Sequence, residues 1–293
     1  MKVFRTSEVT IQYEMPLEKA AKRIAGMYPL IKSDLEKKIN RRVTFIPSII
    51  LIHSASRFKK MVKGNDRITA FAVPGKNIIV MDYSKMERTP FDLRLTLKHE
   101  LSHLLLHQDI KDEFLPKWFD EGVSQWVSEG IADIINVNGN KLLKRAVLSG
   151  NYLALKDISV YFPRSPDLFI LSYEQSRSII EYIDNKYGED KLLDILNKLS
   201  EGIEIEKAVF DVLHVDMAGL ETDWHKYLRT RYSWFTFLAD NVYWMIFFAC
   251  SILTVIGFFR LRKRIKTYTD EDEDYEDERE SFLKHKKIPD KPE

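Results

Sequence analysis

Cysteine is almost absent from this sequence, since the 293 residues contain only Cys250. A single cysteine excludes an intrachain disulfide and any zinc cluster built from several thiolates. Net charge is nearly absent too, because 45 lysines and arginines stand against 44 aspartates and glutamates. That balance gives no electrostatic reason to expect nucleic-acid binding. A metal site in this chain would have to use histidines and carboxylates.

The N-terminus lacks the apolar core of a secretory signal. Its first 15 residues alternate polar with β-branched or aromatic side chains, which is typical of a strand. Helical spacing follows at 16–39, and a strand-like run lies at 41–54. Two further strands, I-T-A-F-A-V and N-I-I-V-M-D-Y, flank the turn Pro74-Gly75-Lys76, and the pattern from 90 to about 230 is helical. We therefore expect an α+β fold with a small mixed N-terminal sheet and a helical second half.

One long apolar run lies near the C-terminus. Residues 241–259 carry no charge over 19 positions, and a helix of that length spans roughly the 30 Å core of a bilayer. Trp234, Tyr243 and Trp244 lie at one end, where aromatic belts occur. We predict a transmembrane helix at 241–259 after a linker at 233–240. The alternative is a buried helix of a large core.

The segment 260–293 is basic at first and then acidic. D-E-D-E-D-Y-E-D-E-R-E contains nine acidic residues and one basic residue, and a lysine-rich end follows it. Such composition predicts a disordered, solvated tail.

A leucine-rich helix carries three histidines and a glutamate in L-K-H-E-L-S-H-L-L-L-H-Q, residues 97–108. We expect this helix to begin at Pro90, with Thr89 as its N-cap, and to end near Gln108. His99 and His103 would lie on one face, about 6 Å apart along the axis, so both imidazoles could reach one ion. Glu100, about 100° round from His99, lies beside such an ion, where a general base for water belongs.

The third ligand must come from elsewhere. His107 lies about 12 Å along the axis from His99, so a straight helix cannot bring both to one ion, and we expect His107 to be an ordinary helix-end histidine. L-P-K-W-F-D-E-G-V-S-Q-W-V-S-E-G, residues 115–130, predicts a second helix that opens at Pro116 and carries Glu121 one turn in. The seven-residue link D-I-K-D-E-F-L favours an antiparallel pair of helices, and Gly122 would permit a close helix approach. The alternative for Glu121 is a solvated surface carboxylate.

Two motifs together, H-E-L-S-H at 99–103 and W-F-D-E-G-V-S at 118–124, resemble the gluzincin metallopeptidases, and among them the peptidase MA-like group. The likeness covers roughly residues 4–230. It implies a zincin-like metallopeptidase domain at 1–232, with His99, His103 and Glu121 as ligands of Zn²⁺ and Glu100 as the catalytic base.

The resemblance implies a further residue and contains two departures. Gluzincins often use a downstream tyrosine or histidine to stabilise the oxyanion, and L-S-Y-E-Q-S-R-S-I-I-E-Y-I makes Tyr173 the candidate, with a core or rim tyrosine as the alternative. No G-x-M-E-N segment, which holds the substrate's free amine in aminopeptidases, precedes His99. Gln125 stands where thermolysin-like enzymes have an aspartate that orients a ligand histidine. Its side-chain carbonyl could accept the imidazole N–H.

The function we expect is a single-pass, membrane-anchored zinc-dependent peptidase, an endopeptidase that acts on peptides or proteins. An extended substrate could add to the edge of the sheet formed by the two strands around Pro74. The alternative is a non-catalytic scaffold or assembly factor on a peptidase fold, which would use the membrane segment and the acidic tail for its interactions.

Charges around the apolar run predict its orientation in the cell membrane. Three basic residues lie within the 20 positions before it and five lie just after it: Lys226, Arg229 and Arg231, then Arg260, Arg262, Lys263, Arg264 and Lys266. The positive-inside rule then predicts a cytoplasmic C-terminal tail and an extracytoplasmic catalytic domain. A domain that crosses the membrane needs a signal, so we expect an apolar segment upstream in the native precursor. The alternative is a cytosolic catalytic domain with the tail outside.

Overall fold

The computed structural model describes residues 1–63, 67–86, 92–129, 140–232, 242–262 and 281–282. The chain divides into two units, Met1–Tyr232 and Ser233–Glu293. The strands of the first unit are β1 Lys2–Arg5, β2 Thr10–Tyr13, β3 Ser48–Ile52, β4 Ala70–Val73 and β5 Ile78–Asp82. Its helices are α1 Glu18–Ile39, α2 Ala55–Met61, α3 Leu93–Asp109, α4 Lys117–Val127, α5 Lys141–Ser149, α6 Pro166–Tyr187, α7 Glu189–Ser200, α8 Ile205–Leu213 and α9 Met217–Arg231.

The five strands form one mixed sheet in the order β1-β2-β3-β5-β4. Strands β2, β3 and β5 run parallel to one another, whereas β1 and β4 are antiparallel to their neighbours. The predicted mixed sheet and helical second half are therefore confirmed. Among the described strands β4 lies at an edge of the sheet and pairs on one side, with β5.

The N-terminal segment differs from the expected single strand. It forms a hairpin of β1 and β2, because Thr6 closes a turn by accepting the backbone N–H groups of Glu8 and Val9. The structure also contains α2, which the sequence analysis missed. Ser54 caps this short helix by accepting from the Arg57 N–H.

The sheet has one deeply buried face. Alternate residues such as Ile49, Leu51, Ile79 and Met81 lie in the main core, which α1 and α3 complete with their apolar faces. Ile52 and Val80 belong to a separate, smaller cluster that packs on Phe58 of α2. This period-two alternation follows from the pleat of the strands. It fixes α3 against the buried face, and the residues of α3 from Thr96 to Leu106 are all buried.

Helix α3 begins later than expected. Its first residue is Leu93, and the Asp92 side chain caps it by accepting from the Leu95 N–H, so the predicted start at Pro90 is wrong. Thr89 and Pro90 themselves lie outside the described residues. Asp92 is a stronger N-cap than Thr89, because a short carboxylate satisfies the unpaired N–H groups of the first turn and also faces the positive end of the helix dipole.

Helix α4 packs closely against α6 at Gly122. A Cβ at this position would overlap the backbone carbonyl of Ser176 and the side chain of Ile180, so only glycine fits. The prediction that Gly122 permits a close helix approach is confirmed, and the helix it meets is α6.

Replacing Gly122 by alanine is expected to lower the free energy of unfolding by about 1–3 kcal/mol, the usual cost of forcing one extra carbon into a packed interface. The matched control is Gly26→Ala. Gly26 is exposed in α1 and nothing lies within 4 Å of its would-be Cβ, so alanine there should raise stability by about 0.5–1 kcal/mol. Chemical denaturation followed by circular dichroism measures both. Changes of the same sign in the two variants would contradict this account.

The second unit contains a helix, α10, at Val242–Arg262. It is 21 residues long, has a mean hydropathy of 2.2, and is long and apolar enough to cross a membrane by length and composition. The predicted linker at 233–240 and nearly all of the predicted tail at 260–293 lie outside the described residues.

Candidate metal centre

Contacts between α3 and α4 establish how the two helices lie. His99 meets Ser128, His103 meets Ser124 and Asp120, and His107 meets Asp120. Residues later in α3 contact residues earlier in α4. The two helices are therefore antiparallel neighbours, as the short link between them predicts. This arrangement brings α4 residues level with both histidines of the H-E-L-S-H motif.

Three buried side chains converge between these helices: His99, His103 and Glu121. The two Nε2 atoms lie 3.2 Å apart, and Glu121 Oε2 lies 3.6 Å from each of them. Tetrahedral ligands at ordinary zinc distances of about 2.0–2.2 Å lie about 3.3–3.6 Å from one another. The triangle of ligand atoms therefore has the size that one zinc ion requires.

Hydrogen bonds fix the tautomer of His103. Its Nδ1 lies 2.7 Å from Asp120 Oδ1, and a carboxylate can only accept, so the proton is on Nδ1. The Ser124 hydroxyl also lies 3.2 Å from this nitrogen. The lone pair of Nε2 is consequently left to face His99 and Glu121.

The tautomer of His99 is fixed in the same way, by the hydroxyl of Ser128. The Ser128 hydroxyl donates to the Ser124 carbonyl at 2.7 Å, so its oxygen is available to accept from His99 Nδ1 at 3.3 Å. Both imidazoles then present Nε2 lone pairs to each other and to a carboxylate oxygen. Three acceptors this close form a set that one shared cation would satisfy.

Glu121 is held through its other oxygen. Lys117 Nζ lies 2.6 Å from Oε1, and the Tyr173 hydroxyl donates to Oε1 at 3.2 Å. Oε2 is buried and has no hydrogen-bond partner among the described residues. A buried carboxylate oxygen without a donor is costly, and a metal ion at this position would satisfy it. The expected alternative, a solvated surface carboxylate, does not hold, because Glu121 is 2% exposed.

The charges around the centre keep both α4 carboxyls ionised. Burial would raise the pKa of Glu121, but the Lys117 ammonium beside its Oε1 lowers it. Burial likewise acts against ionisation of Asp120, but the hydrogen bonds that it accepts from His103 and His107, together with the charge of Lys117, hold its pKa well below its ordinary value. Ionised carboxylates are the forms that can bind a metal or orient a ligand imidazole.

The role expected of Gln125 is wrong. Its side-chain amide donates to the backbone carbonyls of Glu121 and Tyr173, and Asp120 is the residue that accepts from His103. The sequence contained a signal for Asp120. Both Asp120 and Glu121 come just after the aromatic residues Trp118 and Phe119, which are buried, so both acids could be expected to be buried and to need a partner. Lys117 and Ser128 were also missed, because their contacts depend on the register of α4 against α3.

Glu100 and Tyr173, the other two predicted site residues, are both buried near this triangle. Glu100, the residue after His99, is 1% exposed and lines the same cleft as His103 and Glu121. Tyr173 packs against Phe162 and Phe169, with its hydroxyl on Glu121. The hydroxyl therefore contacts a candidate ligand, and donation to an oxyanion stays a prediction.

His107 is placed away from the three ligand atoms. Its Nδ1 lies 2.8 Å from Asp112 Oδ1, and its Nε2 lies 3.5 Å from Asp120 Oδ2. Burial would lower the pKa of His107, but these two carboxylates raise it. His107 thus touches the carboxylate that orients His103 and does not join the triangle.

The centre opens into a cleft of about 900 Å³, which is large enough for several residues of a peptide. One wall is the edge strand β4 with the turn after it, represented by Phe71, Ala72, Pro74 and Gly75. The remainder comes from α3, the Asp112–Phe114 turn, the start of α4, Ser159-Val160 and the start of α8.

Replacing Asp120 by asparagine is expected to weaken zinc binding by about 10–100-fold, the usual effect of losing a carboxylate that orients a ligand histidine. Asp112→Asn is the control, because in the described part of the chain the Asp112 side chain contacts His107, which lies outside the triangle. Competition with a fluorescent zinc chelator measures both. Equal affinity of the Asp120 variant and the wild type would show that His103 needs no such support.

Comparison with known proteins gives a family and several structural likenesses. Residues 48–230 match the family model described as the peptidase MA superfamily. A search of curated proteins found no match. Among solved structures, an M1 zinc metallopeptidase mutant from Deinococcus radiodurans, bound to a Tyr-Ser-Ala substrate, matches with a TM-score of 0.37 and 11% identity over 78% of this chain.

The present chain covers 50% of that neighbour's length, so the neighbour's whole activity does not transfer to it. The family model covers well over half of the present chain, including both motifs and all three converging side chains. The chain therefore belongs to the peptidase MA superfamily, with a gluzincin-like arrangement of H-E-L-S-H and a downstream glutamate.

Proposed function

We propose that this protein is a membrane-anchored zinc-dependent endopeptidase. The observation that carries the proposal is the triangle of acceptor atoms from His99, His103 and Glu121, whose sides of 3.2–3.6 Å suit one zinc ion. Three protein ligands leave a fourth position open, which is typical of catalytic rather than structural zinc. A zinc ion bound there would supply Lewis acidity for peptide hydrolysis.

The protein's own residues would divide the remaining work. Glu100 lines the cleft beside the triangle, so it is the residue that takes a proton from the attacking water and returns it to the leaving amine. Lys117 and Tyr173 hold Oε1 of Glu121, which would leave Oε2 to bind a zinc ion. Asp120 and Ser128 hold the two imidazoles. Oxyanion donation by Tyr173 would require its hydroxyl to leave Glu121 when substrate binds.

Substrate binding would use the edge of the sheet. Phe71 and Ala72 of β4 line the cleft, and within the described residues β4 pairs with β5 alone. An extended peptide that pairs with this edge gains main-chain hydrogen bonds whatever its sequence. The absence of a G-x-M-E-N segment before His99 supports internal cleavage over removal of N-terminal residues.

The test uses the full chain purified in detergent. Zinc content is measured by mass spectrometry, and cleavage of a mixed peptide library is followed with and without a chelator. We expect about one zinc per chain, cleavage at internal bonds, loss of cleavage on chelation and recovery on adding zinc. A chain that holds zinc and cleaves no peptide would favour the scaffold alternative.

The proposal extends to the membrane. Residues 1–232 form the peptidase domain, α10 crosses the membrane once, and the tail that follows lies in the cytoplasm with the peptidase domain outside. The five basic residues after the apolar run, against three before it, support this orientation. Protease added to intact cells that express a doubly tagged chain tests it: digestion of the peptidase domain with a protected tail is expected, and the reverse pattern overturns the orientation.

A further inference from the structure

Four exposed carboxylates gather at the mouth of the cleft. Asp112 and Glu113 belong to the turn between α3 and α4, and Glu204 and Glu206 belong to the start of α8. All four line the cleft. Gly202, two residues before Glu204, lies beside Phe114 of the turn, because a Cβ built on it would be 3.6 Å from the Phe114 ring. These four residues are called the acidic rim below.

The acidic rim is only partly neutralised. Asp112 lies 2.8 Å from His107 Nδ1, and Glu113 lies 3.9 Å from the exposed Lys111. Glu204 and Glu206 have no ion-pair partner among the described residues. Among the described residues that line the cleft, Lys117 is the one lysine, and it pairs with Glu121. The cleft is therefore strongly negative in a chain whose net charge is +1, and a zinc ion would offset only part of that charge.

A second observation indicates that the acidic rim is more than a group of solvated surface acids. The cleft that it surrounds also contains Glu121, which is 2% exposed and whose Oε2 has no hydrogen-bond partner in the described part of the chain. The rim thus stands at the entrance to a site built for a ligand. Negative walls around such an entrance attract and orient positively charged groups.

We propose that the cleft selects peptides with a lysine or arginine side chain near the scissile bond, and that Glu204 and Glu206 are the residues that determine this preference. The inference rests on the proposed peptidase function, whose substrate class it names. Acids at the N-terminus of α8 also stabilise that helix through its dipole. A purely structural role predicts lower stability in variants, with no change in substrate preference.

The test uses the full chain in detergent and three quenched fluorescent peptides that differ only by Lys, Gln or Glu at one position beside the cleaved bond. We expect the ratio of kcat/KM for the Lys peptide over the Gln peptide to exceed one and to decrease with added salt. The double variant Glu204→Gln, Glu206→Gln should lower this ratio by about threefold to tenfold, the size expected for two exposed ion pairs. The control is Asp190→Asn, an exposed acid in the first turn of α7 that does not line the cleft, and it should leave the ratio unchanged.

A binding measurement separates the two proposals. The Glu100→Gln variant is titrated with fluorescent Lys and Glu peptides, and their anisotropy is followed. If the wild type cleaves no peptide, yet the Lys peptide binds more tightly and loses that advantage in the double variant, the proposed function fails and the inference stands. If the wild type cleaves without preferring Lys over Gln, or if the double variant keeps the wild-type ratio, the inference is overturned and the proposed function stands.

Discussion

Replacing Glu100 by glutamine is expected to leave zinc content and fold intact and to lower kcat by about 10²–10⁴-fold, the typical effect of losing a general base. The physical reason is that glutamine has nearly the same shape as glutamate and cannot accept the proton of the attacking water. Glu100 is 1% exposed and lines the cleft beside His103 and Glu121. Steady-state kinetics on a cleaved peptide measure the effect.

Zinc analysis and circular dichroism of the same preparation are the controls for this variant, since both should match the wild type. Cleavage near the wild-type rate would mean that another residue takes the proton. Loss of zinc would mean that Glu100 helps to hold the metal. Each of these results would remove Glu100 from the role of base.

Replacing Glu121 by alanine is expected to abolish stoichiometric zinc binding, and with it all zinc-dependent cleavage. Two imidazoles alone seldom hold catalytic zinc, because sites of this kind use three protein ligands. The variant should still fold. Lys117 is about one-third exposed, so its ammonium can turn to water once its partner is gone. Mass spectrometry of zinc in dialysed protein provides the measurement.

His107→Ala is the matched control for Glu121→Ala. His107 lies one helical turn beyond His103 and contacts Asp120 and Asp112 rather than the triangle. Its removal should therefore retain about one zinc per chain. Normal zinc in Glu121→Ala, or its loss in His107→Ala, would contradict the ligand assignment.

The metal centre could be foreseen from the sequence because its parts depend on local periodicity. Four-residue spacing on a helix places His99 and His103 together whatever the rest of the fold does. The aromatic residues around Glu121 indicate burial, and a short link indicates antiparallel neighbours. The structure brings the three side chains together as that reasoning predicts, and their binding of zinc stays a prediction.

The features that could not be predicted from the sequence depend on how helices and strands that are distant in the chain align with one another. Whether Asp120 or Gln125 accepts from His103 is decided by how far α4 slides along α3, and the motif alone favoured the wrong residue. The N-terminal hairpin was missed because a strand pattern does not reveal a turn as short as the one that Thr6 closes. Gly122 was recognised as a site of close approach, but its partner α6 lies about 50 residues later in the sequence.

If His99, His103 and Glu121 hold zinc as proposed, the arrangement of contacts on α4 would link metal supply to the amount of folded protein. The third candidate ligand and the acceptors for both imidazoles all lie between Asp120 and Ser128, so they reach α3 together only when the two helices dock. An unfolded chain retains the local histidine pair and lacks the rest, and its affinity for zinc is correspondingly weak. A ligand that binds the folded state alone stabilises it by about 2.7 kcal/mol at a hundred times its Kd. A cell short of zinc would therefore lose folded molecules of this protein to degradation, in addition to losing turnover from those that remain.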